Sequence, residues 1–223
     1  MKLYIVATPI GNLQDITLRA LEVLKSVPLI ICEDTRTSQK LLNAHEIERP
    51  RLESYHQHSK PEKVKYILNL LDEVGSAALI TDAGTPGISD PGNMLIAEAV
   101  KKFGQGCQII PIPGPSAIVS ALSISGFPTD KFSFFGFMPH KKGKETVIKN
   151  ILNNKETSIF YESTHRIIKT LEKFKELDHK RQIIVCRELT KKFETIYRGT
   201  VEDVLHKIET GNSKGEFVVV VHS

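Results

Sequence analysis

Two periods of apolar residues alternate along the first half of the chain. Short apolar runs, typical of buried strands, are separated by stretches in which apolar residues recur every three or four positions, as on one face of a helix. The predicted strands are residues 2–7, 29–32, 77–81 and 108–112, and the predicted helices are residues 15–26, 35–43, 61–73 and 93–103. Because strands alternate with helices, we predict a largely parallel sheet with helices on both faces.

The second half has a less regular pattern. Its predicted strands are residues 131–135, 158–161, 182–187 and 217–221, with a hairpin through 193–197, and its predicted helices include 116–125, 164–177 and 200–209. This order predicts a mixed sheet with helices. Since prolines and a glycine crowd residues 111–115, we place a domain boundary there and predict two α/β domains, 1–112 and 113–223.

Composition narrows the class of protein. The chain has 223 residues, of which 40% are hydrophobic and 25% charged, as expected of a soluble globular enzyme. No apolar run approaches the roughly 20 residues that cross a bilayer, and a strand-like start at residues 2–7 leaves no room for a signal peptide. Cys32, Cys107 and Cys186 lie in apolar segments without metal-ligand spacing, so we expect buried, reduced thiols in a cytoplasmic protein.

Charge is distributed unevenly. Residues 1–112 carry 12 Lys and Arg against 13 Asp and Glu, a net of −1, whereas residues 113–223 carry 18 against 13, a net of +5. A basic half suits a polyanionic partner such as nucleic acid, without requiring one.

Unusual loops follow the predicted strands. Residues 82–92 contain three glycines, two prolines and two aspartates in one loop, directly after a buried run. Four further loops rich in polar and small residues are 8–15, 33–36, 54–58 and 113–116. Because ligands of open α/β sheets bind outside the carboxyl ends of the strands, these loops predict a site at that edge.

Several common sites are absent from the sequence. The turn after the first strand has one glycine and lacks the G-x-G-x-x-G of dinucleotide-binding folds, and neither a Walker loop nor a G-x-S-x-G elbow occurs. His56 and His58 are two residues apart but lack a third ligand with suitable spacing, so we predict no metal site. A polar loop lining a substrate groove is the favoured interpretation of that pair.

Taken together, these segments resemble a known family. They are residues 9–17, 33–36, 54–58, 82–92 and 113–117 in the first half, and 136–139, 161–166, 187–191 and 214–217 in the second. In this order they resemble the ribosomal RNA small subunit methyltransferase I family, which is part of the tetrapyrrole methylase (class III methyltransferase) superfamily. The resemblance covers essentially the whole chain.

The resemblance implies two α/β domains with S-adenosylmethionine held between them. It further implies methyl transfer to the ribose 2′-hydroxyl of one cytidine in the decoding region of small-subunit (16S) RNA, by a homodimer. Members often continue into a further helical segment, so RNA contacts made there are expected to be absent or supplied elsewhere. The implied cofactor-binding residues are Pro9, Asp82, Ala83, Gly84, Thr85, Ile88, Ser116, Ala117, Tyr161, Glu162, Glu188 and Phe217.

Methyl transfer to an alcohol needs positioning and a group that accepts the hydroxyl proton. Our candidates for that group are Asp34 or Glu33, with His56 second, while Arg36 would anchor a neighbouring phosphate. A structural ion pair between Arg36 and one of those carboxylates, and a helix cap at Asp34, are the alternatives.

The candidate contacts to the RNA backbone are Lys141, Lys142, Lys144, Arg187, Lys191 and Lys192. Each of these cations has solvated surface charge as its alternative. Two other classes stay open: a corrin or porphyrin methylase, and a non-enzymatic RNA-binding module.

Overall fold

A computed structural model describes every residue except Arg49, His58 and Lys141. The chain divides into two compact units, Met1–Ser116 and Ala117–Ser223, here called the first and second unit. Among the described residues, no helix is both long and apolar enough to cross a membrane.

The first unit is built on one parallel sheet. Its elements are β1 (Lys2–Val6), α1 (Leu18–Ser26), β2 (Leu29–Cys32), α2 (Thr35–Ala44), β3 (Arg51–Ser54), α3 (Pro61–Val74), β4 (Ser76–Leu79), α4 (Asn93–Phe103) and β5 (Gln108–Ile112). The strand order is β3-β2-β4-β1-β5, and every neighbouring pair is parallel. The predicted parallel sheet is therefore confirmed, and the carboxyl ends of all five strands lie at one edge.

Alternation along the strands explains the two apolar cores of this sheet. Leu29 and Ile31 of β2 pack in a cluster with Ile67 of α3, whereas Ile30 packs in a second cluster with Leu24 of α1. Successive side chains of a strand point to opposite faces, so a fully apolar strand requires helices on both sides. The three cysteines are free and buried, as expected.

The second unit has a mixed sheet. Its elements are α5 (Ala117–Ser123), β6 (Phe132–Phe137), α6 (Lys144–Leu152), β7 (Thr157–Ser163), α7 (Ile167–Asp178), β8 (Gln182–Arg187), β9 (Thr195–Thr200), α8 (Val201–Thr210) and β10 (Glu216–Val221). The order is β6-β7-β10-β8-β9, with β6–β7 parallel and the other pairs antiparallel. The predicted mixed sheet and the hairpin, formed by β8 and β9, are both confirmed.

Direction within this sheet brings two strand ends together. β10 runs antiparallel to both β7 and β8, and Phe217 lies opposite Glu162 on one side and Arg187 on the other. Hence β7 and β8 end at the same edge of the sheet. Phe160 and Phe174 stack beneath it with ring centroids 5.7 Å apart, in the apolar core of the unit.

Candidate functional site

In the first unit, the loops after β1 and β4 are joined by a short backbone bridge. Thr8 N–H donates to the Gly84 carbonyl at 2.9 Å, and Gly84 N–H donates to the Thr8 carbonyl at 3.0 Å. The Thr8 hydroxyl also donates to the Thr81 carbonyl, at 3.0 Å. Gly84 has a φ of +80°, which side-chain-bearing residues rarely adopt, so glycine is required there. Pro9, next to the bridge, is buried.

The loop after β5 joins the same group. The Thr85 hydroxyl donates to the Pro115 carbonyl at 3.5 Å. A Cβ added at Gly114 would lie only 3.0 Å from the Cβ of Ala7, so the loop passes very close to the end of β1. Three loops at the carboxyl edge are therefore tied together. They carry the first-unit residues predicted to bind cofactor: Pro9, Asp82, Ala83, Gly84, Thr85, Ile88 and Ser116.

Asp34 is held in an ion pair. Its carboxylate accepts from the Arg36 backbone N–H at 2.8 Å, capping α2, and from the Arg36 guanidinium at 3.1 Å (Nε) and 2.6 Å (Nη2). These hydrogen bonds hold the pKa of Asp34 well below its usual range. The structural pairing left open for Arg36 is thus present, and a carboxylate tied in this way is a weak proton acceptor.

Glu33 and Asp82 have the opposite electrostatics. Burial, together with the charge of Asp82, raises the pKa of Glu33, although the Asp82 backbone N–H donates to its carboxylate. Burial and the charge of Asp34 likewise raise the pKa of Asp82, whose Oδ1 accepts from the Asp34 N–H at 3.2 Å. His56 is exposed and close enough to Glu33 for its charge to favour the ionised carboxylate.

Asp90 is a further acidic group of the loop after β4. Burial raises its pKa to about 7, and the charges of Glu33 and Asp82 add to the effect. We call Glu33, Asp82 and Asp90 the acidic edge. Within the described part of the chain, no group of three or more His, Cys, Asp or Glu side chains is arranged to hold a metal ion.

In the second unit, Glu162 lies at the end of β7 and is 1% exposed. Its carboxylate accepts from the Ser163 N–H at 2.8 Å and the Thr170 hydroxyl at 2.6 Å, and it pairs with Arg166 Nε at 2.8 Å. Lys144 Nζ is 3.9 Å away, and burial lowers the pKa of this lysine. Lys144, predicted to contact RNA, thus serves this internal network instead.

Tyr161 has aromatic neighbours. Its ring centroid lies 5.1 Å from that of Phe134 and 5.2 Å from that of Phe137, and Phe137 is 55% exposed. Phe217, in contrast, is 1% exposed and belongs to the apolar core, so its side chain serves packing.

Arg187 also has a different task from the predicted one. It is 6% exposed, and its guanidinium donates to the Lys214 carbonyl at 2.6 Å and the Phe193 carbonyl at 2.9 Å. These bonds fasten two loops to the end of β8. This buried guanidinium therefore has a structural role, and the predicted contact of Arg187 with RNA is left out of the proposal below.

Glu188 and Lys191 form a second compensated pair. Lys191 Nζ lies 2.9 Å from both Glu188 Oε1 and Glu216 Oε2, and the Glu216 N–H donates to Glu188 Oε1 at 2.9 Å. Burial alone would raise the pKa of Glu188, but these donors lower it. Lys142 and Lys192 are exposed, as an RNA contact requires, while Lys141 lies outside the described residues.

Comparison with known proteins gives a consistent family. The model for "Tetrapyrrole (Corrin/Porphyrin) Methylases" matches residues 2–205. A protein of Halalkalibacterium halodurans named ribosomal RNA small subunit methyltransferase I is 45% identical over 98% of this chain and 75% of its own length. The protein of the same name from Thermotoga maritima is 40% identical over 99% of this chain and 97% of its own length.

Solved structures agree with the fold. A diphthine synthase superimposes with a TM-score of 0.78 at 14% identity, covering 100% of this chain and 90% of that one. A uroporphyrin-III C-methyltransferase from Thermus thermophilus, complexed with S-adenosyl homocysteine, gives a TM-score of 0.66 at 12% identity, covering 99% and 97%. At such identities the likeness concerns the fold alone, and it confirms the predicted α/β class.

Proposed function

We propose that this chain methylates small-subunit ribosomal RNA with S-adenosylmethionine, because it belongs to the ribosomal RNA small subunit methyltransferase I family of tetrapyrrole methylases. We assign the acceptor as the ribose 2′-hydroxyl of a cytidine in the decoding region. The observation that carries this proposal is the identity of 40–45% to relatives of that name over 98–99% of the chain. The excess of positive charge after residue 112 suits a polyanionic substrate.

The first unit offers residues that fit the cofactor. When bound, S-adenosylmethionine supplies a methyl group on a positively charged sulfur. Ala83 and Gly84 keep side chains out of the way where the bridge to Thr8 fixes the backbone, so a ligand can approach the main chain closely. We place the positive charge of the ligand near the acidic edge, because a nearby cation favours the ionised form of carboxyl groups whose pKa is raised.

The second unit supplies the remaining proposed cofactor positions: Ala117, Tyr161, Glu162, Glu188 and Phe217. Tyr161 is partly buried and belongs to an aromatic cluster. Glu162 and Phe217 are buried, so we assign any contact there to their backbone atoms.

Glu33 is our proposed proton acceptor. Bound S-adenosylmethionine would supply the methyl group and leave as a neutral thioether, and the Glu33 carboxylate would accept the proton of the ribose hydroxyl. A raised pKa brings a carboxylate closer to the working pH and makes it a better general base, whereas the ion pair with Arg36 makes Asp34 a poorer one. His56, near Glu33, is the second candidate.

Arg36 keeps its proposed role as a phosphate anchor. Its side chain is 87% exposed even though it pairs with Asp34. Planar guanidinium groups bind phosphate through paired N–H donors, and the contact with Asp34 fixes the orientation of the group. We further propose that Lys141, Lys142 and Lys192 contact the RNA backbone, and that the protein acts in the cytoplasm as a homodimer.

The test uses small ribosomal subunits from a strain that lacks this methyltransferase. Subunits are incubated with the purified protein and S-adenosylmethionine, and ribose 2′-O-methylation is mapped along the RNA. We expect one new methylated cytidine in the decoding region. Methyl transfer to a tetrapyrrole but not to the subunits would overturn the proposal in favour of a corrin or porphyrin methylase.

A further inference from the structure

The turn that connects β8 to β9 carries an exposed aromatic ring. Phe193 is 66% exposed, more than any other phenylalanine among the described exposed residues. Lys192 precedes it, and the Lys192 ammonium lies 5.6 Å from the centroid of the Phe193 ring. The exposed ring therefore offers an aromatic face on which another ring can stack.

The backbone beneath this ring is fixed by hydrogen bonds. Buried Arg187 donates to the Phe193 carbonyl at 2.9 Å, and the Thr190 N–H donates to Glu194 Oε2 at 2.6 Å. Glu188 and Thr190 have φ values of +53° and +63°, conformations that cost energy for residues other than glycine. These hydrogen bonds fix the backbone of the turn while the Phe193 ring stays exposed to solvent. A contact presented in this way is preorganised for binding.

Lys192 is the cation at the turn that can bind an anionic partner. Lys191 is paired with both Glu188 and Glu216, and the Glu194 carboxylate accepts from the backbone. Among the described residues, Lys192 is in no ion pair, so it supplies the uncompensated charge beside the ring. Protein–protein interfaces are depleted of lysine, whereas an aromatic ring next to a cation is typical of sites for single-stranded nucleic acid.

We infer that Lys192 and Phe193 form a contact for single-stranded RNA, in which Phe193 stacks on an unpaired base and Lys192 pairs with a neighbouring phosphate. The inference rests on the proposed function and assigns part of its substrate recognition to this turn. Bases in loops are exposed and stack on aromatic side chains, so the contact suits a loop of ribosomal RNA and not a regular duplex.

A fluorescence experiment reports stacking directly. The chain contains no tryptophan, so Phe193→Trp introduces a single indole at the turn. The control is Phe132→Trp, because Phe132 is also exposed, at 43%. It is the first residue of β6, which runs parallel to β7, so it lies at the opposite end of the sheet from the carboxyl ends of β7 and β8. Unmethylated small subunits should quench the indole of Phe193→Trp and leave that of Phe132→Trp unchanged. Equal quenching of both, or of neither, overturns the inference.

Affinity provides the second measurement. Since stacking contributes a substantial free energy per base, Phe193→Ala should weaken binding to the subunits by about 5- to 100-fold. The affinity for S-adenosylmethionine and the melting temperature should stay unchanged. Lys192→Ala should reduce the slope of log affinity against log salt concentration by about one. A Phe193→Ala protein that binds subunits as the wild type does, or that changes only the oligomeric state in sedimentation, contradicts the inference.

The two proposals fail separately. If the wild-type protein transfers no methyl group to the subunits, the proposed function is wrong. If the wild type methylates the subunits and Phe193→Ala does so with the same kcat/KM, only the inference about the turn is wrong.

Discussion

The carboxyl strand ends of the two sheets carry acidic residues in opposite electrostatic states. In the first unit, burial and the charges of neighbouring carboxylates raise the pKa values of Glu33, Asp82 and Asp90. In the second unit, Glu162 pairs with Arg166 and Glu188 pairs with Lys191, so each of these carboxylates has a cation beside it.

We interpret this electrostatic difference as a difference in role between the two sets of strand ends. A compensated carboxylate stabilises a loop and needs no ligand, as Glu162 does between Ser163 and Thr170. Carboxylates whose pKa is raised by burial and by neighbouring negative charge cost folding energy, and such groups are concentrated where chemistry or a cationic ligand uses them. The acidic edge is therefore where we place the proton transfer, and the second-unit strand ends are where we place support and substrate contacts.

The largest effect is expected at Glu33. Glu33→Gln removes the proposed proton acceptor while keeping the side chain's size, so methyl transfer to subunits should fall by about 10²- to 10⁴-fold. Asp34→Asn is the matched control, since asparagine also caps helices, and it should lower the rate by less than about tenfold. Single-turnover rates with radiolabelled S-adenosylmethionine measure both. The reverse order of effects would assign the acceptor to Asp34.

The next largest effect is expected at Glu162, which tests the supporting role of the second unit. Glu162→Leu leaves Arg166 and Lys144 without their buried partner, so the free energy of unfolding should fall by about 3–5 kcal/mol in urea titrations. Glu145→Gln breaks an exposed pair with Lys149 and should have no measurable effect. An unchanged stability of Glu162→Leu would mean that this carboxylate is not a structural brace.

Sequence patterns predicted the sheets well and the electrostatics poorly. Apolar runs placed β2 and β5 correctly. β2 is continuous and apolar because it is buried on both faces, whereas β5 is only partly buried at the sheet edge. β3 was missed because Arg51 and Ser54 are exposed at the sheet edge and the segment has no apolar alternation. α1 was expected from residue 15 but begins at Leu18, because Thr17 caps it by accepting from the Ala20 N–H.

The site was predictable as a set of loops, not as a set of charges. Parallel strands end at one edge, so the order of elements placed the Asp82 loop and the Glu33 loop at the same edge of the sheet. Whether a charged residue is buried depends on partners distant in sequence. Buried Arg187, for example, donates hydrogen bonds to the carbonyls of Phe193 and Lys214. No local pattern distinguishes such an arginine from a surface one, and the same holds for Asp90.

A smaller effect is expected at Asp90. Its folded-state pKa of about 7 exceeds the ordinary aspartate value, so the folded protein is destabilised increasingly as pH rises from about 4 towards 7 and the carboxyl is forced to ionise. Asp90→Asn removes that cost. Its melting temperature relative to the wild type should therefore increase with pH, to a gain of a few degrees above pH 8. A difference independent of pH would show that Asp90 titrates normally.

The smallest effect is expected at Lys191. Removing this cation should leave carboxylates of the second unit without a paired cation, as those of the acidic edge are in the first unit. Lys191→Gln leaves Glu188 and Glu216 without their shared partner, so the pKa of Glu188 should rise. Because exposed ion pairs contribute little, the unfolding free energy should fall by at most about 1 kcal/mol. Lys192→Gln, one residue on, is the control and should leave the pKa of Glu188 unchanged.

The comparison is tested most directly by following the side-chain carboxyl carbons of aspartate and glutamate by NMR as pH is varied. We predict that Asp90 titrates near pH 7 and Glu33 and Asp82 above their ordinary values, whereas Asp34 and Glu188 stay ionised below theirs. Ordinary pKa values for Glu33, Asp82 and Asp90 would contradict the claim that the acidic edge is uncompensated, and with it the assignment of the proton transfer to that edge.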